Sequence, residues 1–313
     1  KLNHDRQMRK SIAIIITSIL VLSGCNKQQS VSDRLLNEVE KAIAINPDSA
    51  SNLLNSISSP EKLDDKAFAR WCMLSGKITD EIFNSILPTY QLERAYEWYS
   101  SYGSPDEQVQ ILIYLGRSYF ADGDYDKAMS IYTNALDIAE KNKLNNLIGY
   151  TYDYIGDLYR EKFMRTEAIK RYEIAAEYFK KEKNTDSYAC ALRDIGREYA
   201  QMDSLSHALN ILIIADSVAA NTSNINVTAS INNALGNIYS MQNKYDKAEE
   251  YLLKALLTGR EKMPDYVALI DLYTASNSIN KAKELLSKIP QDTPQYTCCL
   301  LYTSPSPRDL STS

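Results

Sequence analysis

Apolar residues along this chain recur at helical spacing and are punctuated at a fixed interval. In one segment Leu115, Gly116, Tyr119 and Phe120 fall on a single helical face. The turn Asp122-Gly123-Asp124 follows, and Ala128, Ile131, Tyr132, Ala135 and Leu136 form a second helical face. The pair then repeats every 40 residues. Gly116, Gly156, Gly196 and Gly236 keep that step, as do Tyr119, Tyr159, Tyr199 and Tyr239. Ala128, Ala168, Ala208 and Ala248 keep it, and so do Ala135, Ala175, Ala215 and Ala255. A period of this size predicts a solenoid, in which each unit buries its apolar face against its neighbours. The glycine and the first alanine are expected to let two helix axes approach closely. The tyrosines are expected to fill the space between units with their hydroxyls near water, which fits 23 Tyr against 5 Phe.

Leu115-Gly116-(x2)-Tyr119, then Gly123-Asp124-Tyr125-Asp126-Lys127-Ala128, Tyr132 and Ala135 resemble the tetratricopeptide repeat signature. Leu235-Gly236-(x2)-Tyr239, Tyr245-Asp246-Lys247-Ala248, Leu252 and Ala255 resemble it again. The resemblance implies an all-α, right-handed superhelix of helical hairpins. The usual unit has about 34 residues, so the six extra are expected to lengthen helices or the link between units. A shorter fifth copy is expected at Tyr273, Ala282, Leu286 and Ile289, with Ile270 in the glycine's place. The regular array spans 106–290. Residues 33–105 read as two irregular helical pairs, with helical patterns near 33–45, 48–57, 64–80 and 88–102. Ala67, Trp71, Leu74 and Ile78 share a face there. Asn46-Pro47 predicts a capped helix start, and Ser104-Pro105-Asp106-Glu107 adds a capping box.

Both ends break the pattern. Residues 1–7 precede Met8 and read as upstream translation. Residues 8–24 carry Met8-Arg9-Lys10 and an apolar run from Ile12 to Leu22, the layout of a secretory signal. The run is shorter than the roughly 20 residues that a bilayer span needs. Leu22-Ser23-Gly24-Cys25 resembles the bacterial lipobox, which implies an acylated Cys25 followed by a linker over 25–32. Several acyl chains would make a stable anchor. The linker has no acidic run of the kind found on surface-exported lipoproteins of Bacteroidota-type bacteria. A periplasm-facing anchor in the inner or outer membrane is therefore expected. At the other end, 291–313 reads as linker and foreign tail. Cys299 to Asp309 resembles a translated sequencing adapter, and the natural chain is expected to continue past Thr297.

Without residues 1–24 and 298–313 the chain holds 30 basic and 38 acidic residues, a net charge of −8. That disfavours nucleic acid as a partner, since a phosphate backbone needs a basic face. Cys72 and Cys190 remain as candidates for a disulfide in an oxidising compartment, or as small core residues that need no partner. The one mature histidine, His207, lacks the partners of a triad or a zinc site. Asp122-Gly123-Asp124-Tyr125-Asp126 fails as a calcium loop, with Lys127 at the glycine position and Thr133 at the twelfth. No phosphate loop occurs, so no cofactor and no enzyme activity are expected.

The remaining candidates lie on the first helices. In tetratricopeptide folds, positions three before and one after the glycine line a concave groove. Here they are Ile113/Arg117, Asp153/Asp157, Arg193/Arg197 and Asn233/Asn237. Each pair is four residues apart and shares a helix face. Arginine grips carboxylates and asparagine holds peptide backbone. A peptide or protein ligand with an acidic or C-terminal carboxylate is expected near Arg193, Arg197, Asn233 and Asn237. Three functions follow in order: a membrane-anchored interaction scaffold, the periplasmic sensor half of a longer regulator, and glycan capture by an outer-membrane lipoprotein. The last needs aromatic platforms on long loops, and the two tryptophans, Trp71 and Trp98, both precede the array.

Overall fold

The computed structural model describes residues 32–82, 86–260, 262–291 and 293–295. The expected signal sequence, Cys25, the linker up to residue 31 and the tail from residue 296 lie outside the described residues. Those described are α-helical apart from turns, short links and one 3-10 segment, Pro60–Lys62, with no strand among them. None of the described helices is long and apolar enough to cross a membrane.

The helices fall into two compact units that divide between Asn142 and Lys143. The first unit holds α1 (residues 32–43), α2 (Pro47–Asn55), α3 (Asp65–Ile82), α4 (Thr89–Tyr102), α5 (Pro105–Ala121) and α6 (Tyr125–Lys141). Its starts are capped as the sequence predicts. The Asn46 side chain accepts from the Ser49 N–H at the head of α2, and Ser104 and Glu107 form a reciprocal capping box at α5. Ala67, Trp71, Leu74 and Ile78 of α3 are buried together in the core of this unit.

The second unit holds α7 (Asn145–Glu161), α8 (Arg165–Lys181), α9 (Thr185–Gln201), α10 (Leu205–Ala219), α11 (Ile225–Met241), α12 (Tyr245–Thr258), α13 (Met263–Ala275) and α14 (Ile279–Leu286). Successive helices pair into hairpins, α7 with α8 through α13 with α14, and each second helix packs on the next first helix. First helices also meet, α9 on α11 and α11 on α13.

The 40-residue period has a simple origin. Helices α5 to α9 and α11 each have 17 residues. Two such helices and two three-residue turns complete one unit. Helices α12 and α13 have 14 and 13 residues, which accounts for the shorter final step. The six extra residues therefore extend helices and leave the turns tight. Six of the tight turns close in one way. In the first, Asp124 N–H donates to Tyr119 C=O at 2.9 Å and Gly123 N–H to Phe120 C=O at 3.0 Å. This double bond pattern needs a left-handed residue after the helix. Gly123 supplies it at φ 79°, and Lys143, Phe163, Lys183, Asp203, Asn243 and Asn277 adopt it at 57–59°.

Each repeat glycine faces a bulky side chain sixteen residues on. A Cβ built on Gly156 would lie 2.5 Å from the Tyr172 ring, and one on Gly236 would lie 2.6 Å from Leu252 Cγ. Gly116 meets Tyr132 in the same way, and Gly196 meets Leu212. All four bulky partners are buried, as are the repeat alanines at both registers. The backbone also closes in: Ala248 C=O would stand 3.2 Å from a Cβ on Gly236. Tyr119, Tyr159 and Tyr199 are partly buried, and Tyr239 is buried. A cation or imidazole lies over each. Lys127 stands 5.0 Å from the Tyr119 ring, Arg171 5.7 Å from Tyr159 and Lys247 5.5 Å from Tyr239. His207 stacks on Tyr199 at 5.8 Å.

Alanine at position 156 gains up to about 1 kcal/mol of helix propensity and loses about 1–3 kcal/mol to overpacking. Gly156→Ala is expected to lower stability by a net amount of about 1–2 kcal/mol, read from urea unfolding. An unchanged or raised midpoint would mean that the Tyr172 ring moves aside freely.

Candidate functional site

The first-helix positions chosen from the sequence separate into packed and open sites. Those three residues before the glycine are packed. Ile113 and Asn233 are buried, Asp153 is partly buried, and the Arg193 side chain is 18% exposed. Those one after the glycine are more open, and the Arg197 side chain is 42% exposed.

In the first unit, Arg117 pairs with Asp80 of α3. The Tyr114 hydroxyl donates to the other oxygen of Asp80 at 2.9 Å. The second unit carries the larger constellation. On α9, Arg193 makes two bonds to the Asp194 carboxylate, Nε to Oδ1 at 3.0 Å and Nη2 to Oδ2 at 2.6 Å. Its remaining nitrogen, Nη1, donates to Ser230 Oγ of α11 at 3.0 Å. Every nitrogen of that guanidinium is therefore engaged. Arg197 touches Asp194 Oδ1 at 3.5 Å, the limit of a hydrogen bond. On α7, Asp157 Oδ1 accepts from the Tyr172 hydroxyl at 2.8 Å and pairs with Arg160 Nη1 at 2.8 Å. Asp153 stands one turn earlier, and its Oδ1 is sealed from solvent without a hydrogen-bond partner. On α11, Asn233 Nδ2 donates to buried Asp265 of α13 at 2.7 Å, and Asn237 Nδ2 donates to Asn233 Oδ1 at 3.0 Å.

The carboxylates divide by environment. Burial works to raise Asp194, but the Arg193 charge, its hydrogen bonds and Arg197 hold it below the usual carboxylate range. Burial raises Asp153 well above that range, and the charges of Asp157 and Asp194 raise it further against Arg193 and Arg160. Burial raises Asp157 as well, with Arg160 pulling it back. Burial pushes Cys190 up against Arg193, with Asp194, Asp153 and Asp186 adding to it, and burial takes the Cys72 thiol to about 12. Both thiols are free, and these shifts keep them protonated and inert.

Arg193, Asn233 and Arg117 thus fold inward onto protein partners, whereas Arg197 makes only the long contact to Asp194. Sequence reasoning missed Asp194, Arg160, Tyr172, Asp265 and Asp80. Arg160 was accessible, since Asp157 and Arg160 are three apart on one helix. Tyr172 was accessible as the counterpart of Tyr132. Asp265 and Asp80 act from 32 and 37 residues away on neighbouring hairpins, a distance no local pattern reports.

A carboxyl raised in the folded state favours folding at low pH. Its contribution is complete below the unfolded value of about 4 and is lost as pH climbs through the folded value. Asp153→Asn, an isostere of the protonated acid, escapes that loss. The variant is expected to be more stable than the parent at pH 7 and equal to it near pH 3, by urea unfolding at both. Lower stability at pH 7 would mean that Asp153 is ionised in the fold.

Two segments, residues 112–145 and 228–263, match family models that describe a tetratricopeptide repeat. Photosystem I assembly protein Ycf3 of Rippkaea orientalis is 33% identical over 91 residues, which cover 28% of this chain and 52% of that protein. The chain thus spans about half the length of this relative. Two solved structures are similar in fold. One is a Rap protein complexed with competence and sporulation factor, with a TM-score of 0.59 at 13% identity, covering 88% of this chain and 78% of that one. The other is NprR in complex with its cognate peptide NprX, with a TM-score of 0.57 at 15% identity, covering 87% and 82%. The first and fourth 40-residue copies of this chain are therefore tetratricopeptide repeats within an all-α array of helical hairpins.

Proposed function

We propose that this chain is a membrane-anchored scaffold that binds a peptide or protein segment on the first-helix face of its second unit. The observation that carries the binding site is the Arg197 side chain, 42% exposed and held beside Asp194 by one long contact, although burial and the Arg193 charge lower its pKa to about 10. Arg193 has already neutralised Asp194, so the charge of Arg197 is left for a ligand carboxylate. Asn237 stands at the equivalent open position on α11 and supplies an amide for ligand backbone. Arg193 and Asn233 support the site from below through Asp194 and Asp265. The likeness in fold to Rap and NprR, one seen with competence and sporulation factor and the other with its cognate peptide, agrees with a peptide ligand.

The anchor rests on Leu22-Ser23-Gly24-Cys25 and the apolar run before it. Acylation at Cys25 places the array at the periplasmic face of a membrane. The second reading is the ligand-sensing half of a longer membrane-bound regulator. It is favoured by the same likeness to NprR, which is a quorum sensor.

Two outcomes are expected. Expressed in a bacterial host, the chain fractionates with membranes, and Cys25→Ser moves it to the soluble fraction. Equal membrane association of the two would remove the anchor. Against an array of peptides with free C-termini, the best binder loses at least about tenfold in affinity on Arg197→Ala, the worth of one charge-assisted bond. Unchanged affinity would remove Arg197 from the site.

A further inference from the structure

The outward face of the second helices changes character along the chain. On α8 it is charged, with Lys170, Glu173 and Glu177 exposed. The matching positions of α6 are polar too, with Thr133 and Asp137 exposed. On α10 and α12 the same helix face is apolar. Ile213 and Ile214 are each 51% exposed, Leu253 is 39% exposed and Leu257 is 81% exposed. Ile213 and Leu253 stand at the register of Thr133 and Glu173, and Leu257 stands at that of Asp137 and Glu177. The hairpins do not call for these side chains, because Leu212, Ala215, Leu252 and Ala255 already fill the inward face and are fully buried. The two helices are neighbours. Leu209 of α10 packs against the cluster that holds Ala248 and Leu252 of α12, and Tyr251 of α12 packs against the cluster that holds Leu212 of α10. A single exposed leucine is ordinary, but several large apolar side chains on two adjoining helices make a patch of the kind that marks an interface.

We propose that the outward face of α10 and α12 pairs with the same face of a second copy of this chain, as a two-fold dimer. A two-fold interface uses one patch twice, so the chain itself supplies both sides, and such dimers are by far the commonest homo-oligomers. The charges around the patch suit a like partner. Lys254 Nζ pairs with Glu250 at 2.7 Å, and Asp216 of α10 also acts on Lys254. Both signs are present at the rim, so a copy of it meets no single-sign field. An anionic lipid surface, by contrast, finds no excess of positive charge there. The area sets the strength. Helices α10 and α12 have 15 and 14 residues, about 22 Å of length at 1.5 Å per residue. Two adjoining helices about 10 Å wide present a face on the order of 440 Å². Two such faces together bury on the order of 900 Å², which is the size of weak and transient complexes and short of stable ones. The dimer is therefore one that forms and parts. It uses no residue of the first-helix face, so pairing and ligand binding are separate events.

Site-specific photo-crosslinking of the full chain in a bacterial host tests this pairing. The photoreactive residue p-benzoylphenylalanine replaces Ile213 or Leu257, and replaces Glu173 on the polar face of α8 as the control. Two differently tagged copies are expressed together. Irradiation is expected to give a band at twice the mass of the chain, carrying both tags, from positions 213 and 257 and not from 173. With the crosslinker at 257, Ile213→Asp is expected to weaken that band at least about tenfold, because pairing would bury a charge without a partner. Leu253→Asp is the second variant, with the same expected loss. Both residues are exposed, so the urea midpoint should stay where it is, which separates a lost contact from a lost fold. A two-tag band of equal strength from 173, or one that survives both aspartates, overturns the dimer as chance crowding. An adduct of another mass with a single tag overturns it in favour of a foreign partner, and an adduct to lipid overturns it in favour of the membrane. No adduct from 213 or 257 overturns it as well.

Discussion

Each hairpin of the array depends on one contact, a bare glycine backbone on the first helix against a bulky side chain on the second. The ring or isobutyl group occupies the volume that a Cβ would need, so the helices meet at backbone distance. Alanines that are fully buried flank the contact and keep the same closeness along the pair. Fixing the two helices at this point also fixes their rotation. The residues three before and one after the glycine then lie on one shared helix face. Tyr172 shows how directly the scaffold reaches the site. Its ring fills the gap left by Gly156, and its hydroxyl ends on Asp157, the next residue along α7.

Much of this was legible in the sequence because it is local and repeated. The glycine, tyrosine and alanine registers gave the hairpins, and the capping residues at Asn46 and Ser104 gave two helix starts. Seventeen-residue helices were less legible, since the same spacing allowed longer links. The left-handed turn positions were legible only at Gly123. Phe163 and Lys183 adopt the same backbone because the double hydrogen bond to the preceding helix outweighs the steric cost for a side chain there. The candidate site was half legible. The spacing set each pair on one helix face and expected a ligand near Arg193 and Asn233, whose donors the structure spends on protein partners. Their partners, Asp194 and Asp265, were not visible in the pattern. Asp194 occupies a position where the first two repeats carry Tyr114 and Tyr154, so the repeat itself hid its role.

The polar links between hairpins solve a problem that a repeat creates for itself. Helices built from nearly identical apolar faces fit their near-copies almost as well as their true neighbours. Apolar packing alone would leave the order of the hairpins weakly specified. In the second unit each joint carries a different polar cross-link. Arg165 of α8 pairs with Glu198 of α9 at 2.9 Å, and Glu198 is 2% exposed. Arg193 reaches Ser230 between α9 and α11, and Asn233 reaches Asp265 between α11 and α13. Buried ionic and polar pairs add little net stability, because desolvation offsets the attraction, but a mismatched one leaves a buried charge alone at about 3–5 kcal/mol. The joints therefore discriminate against the wrong neighbour more strongly than they stabilise the correct one.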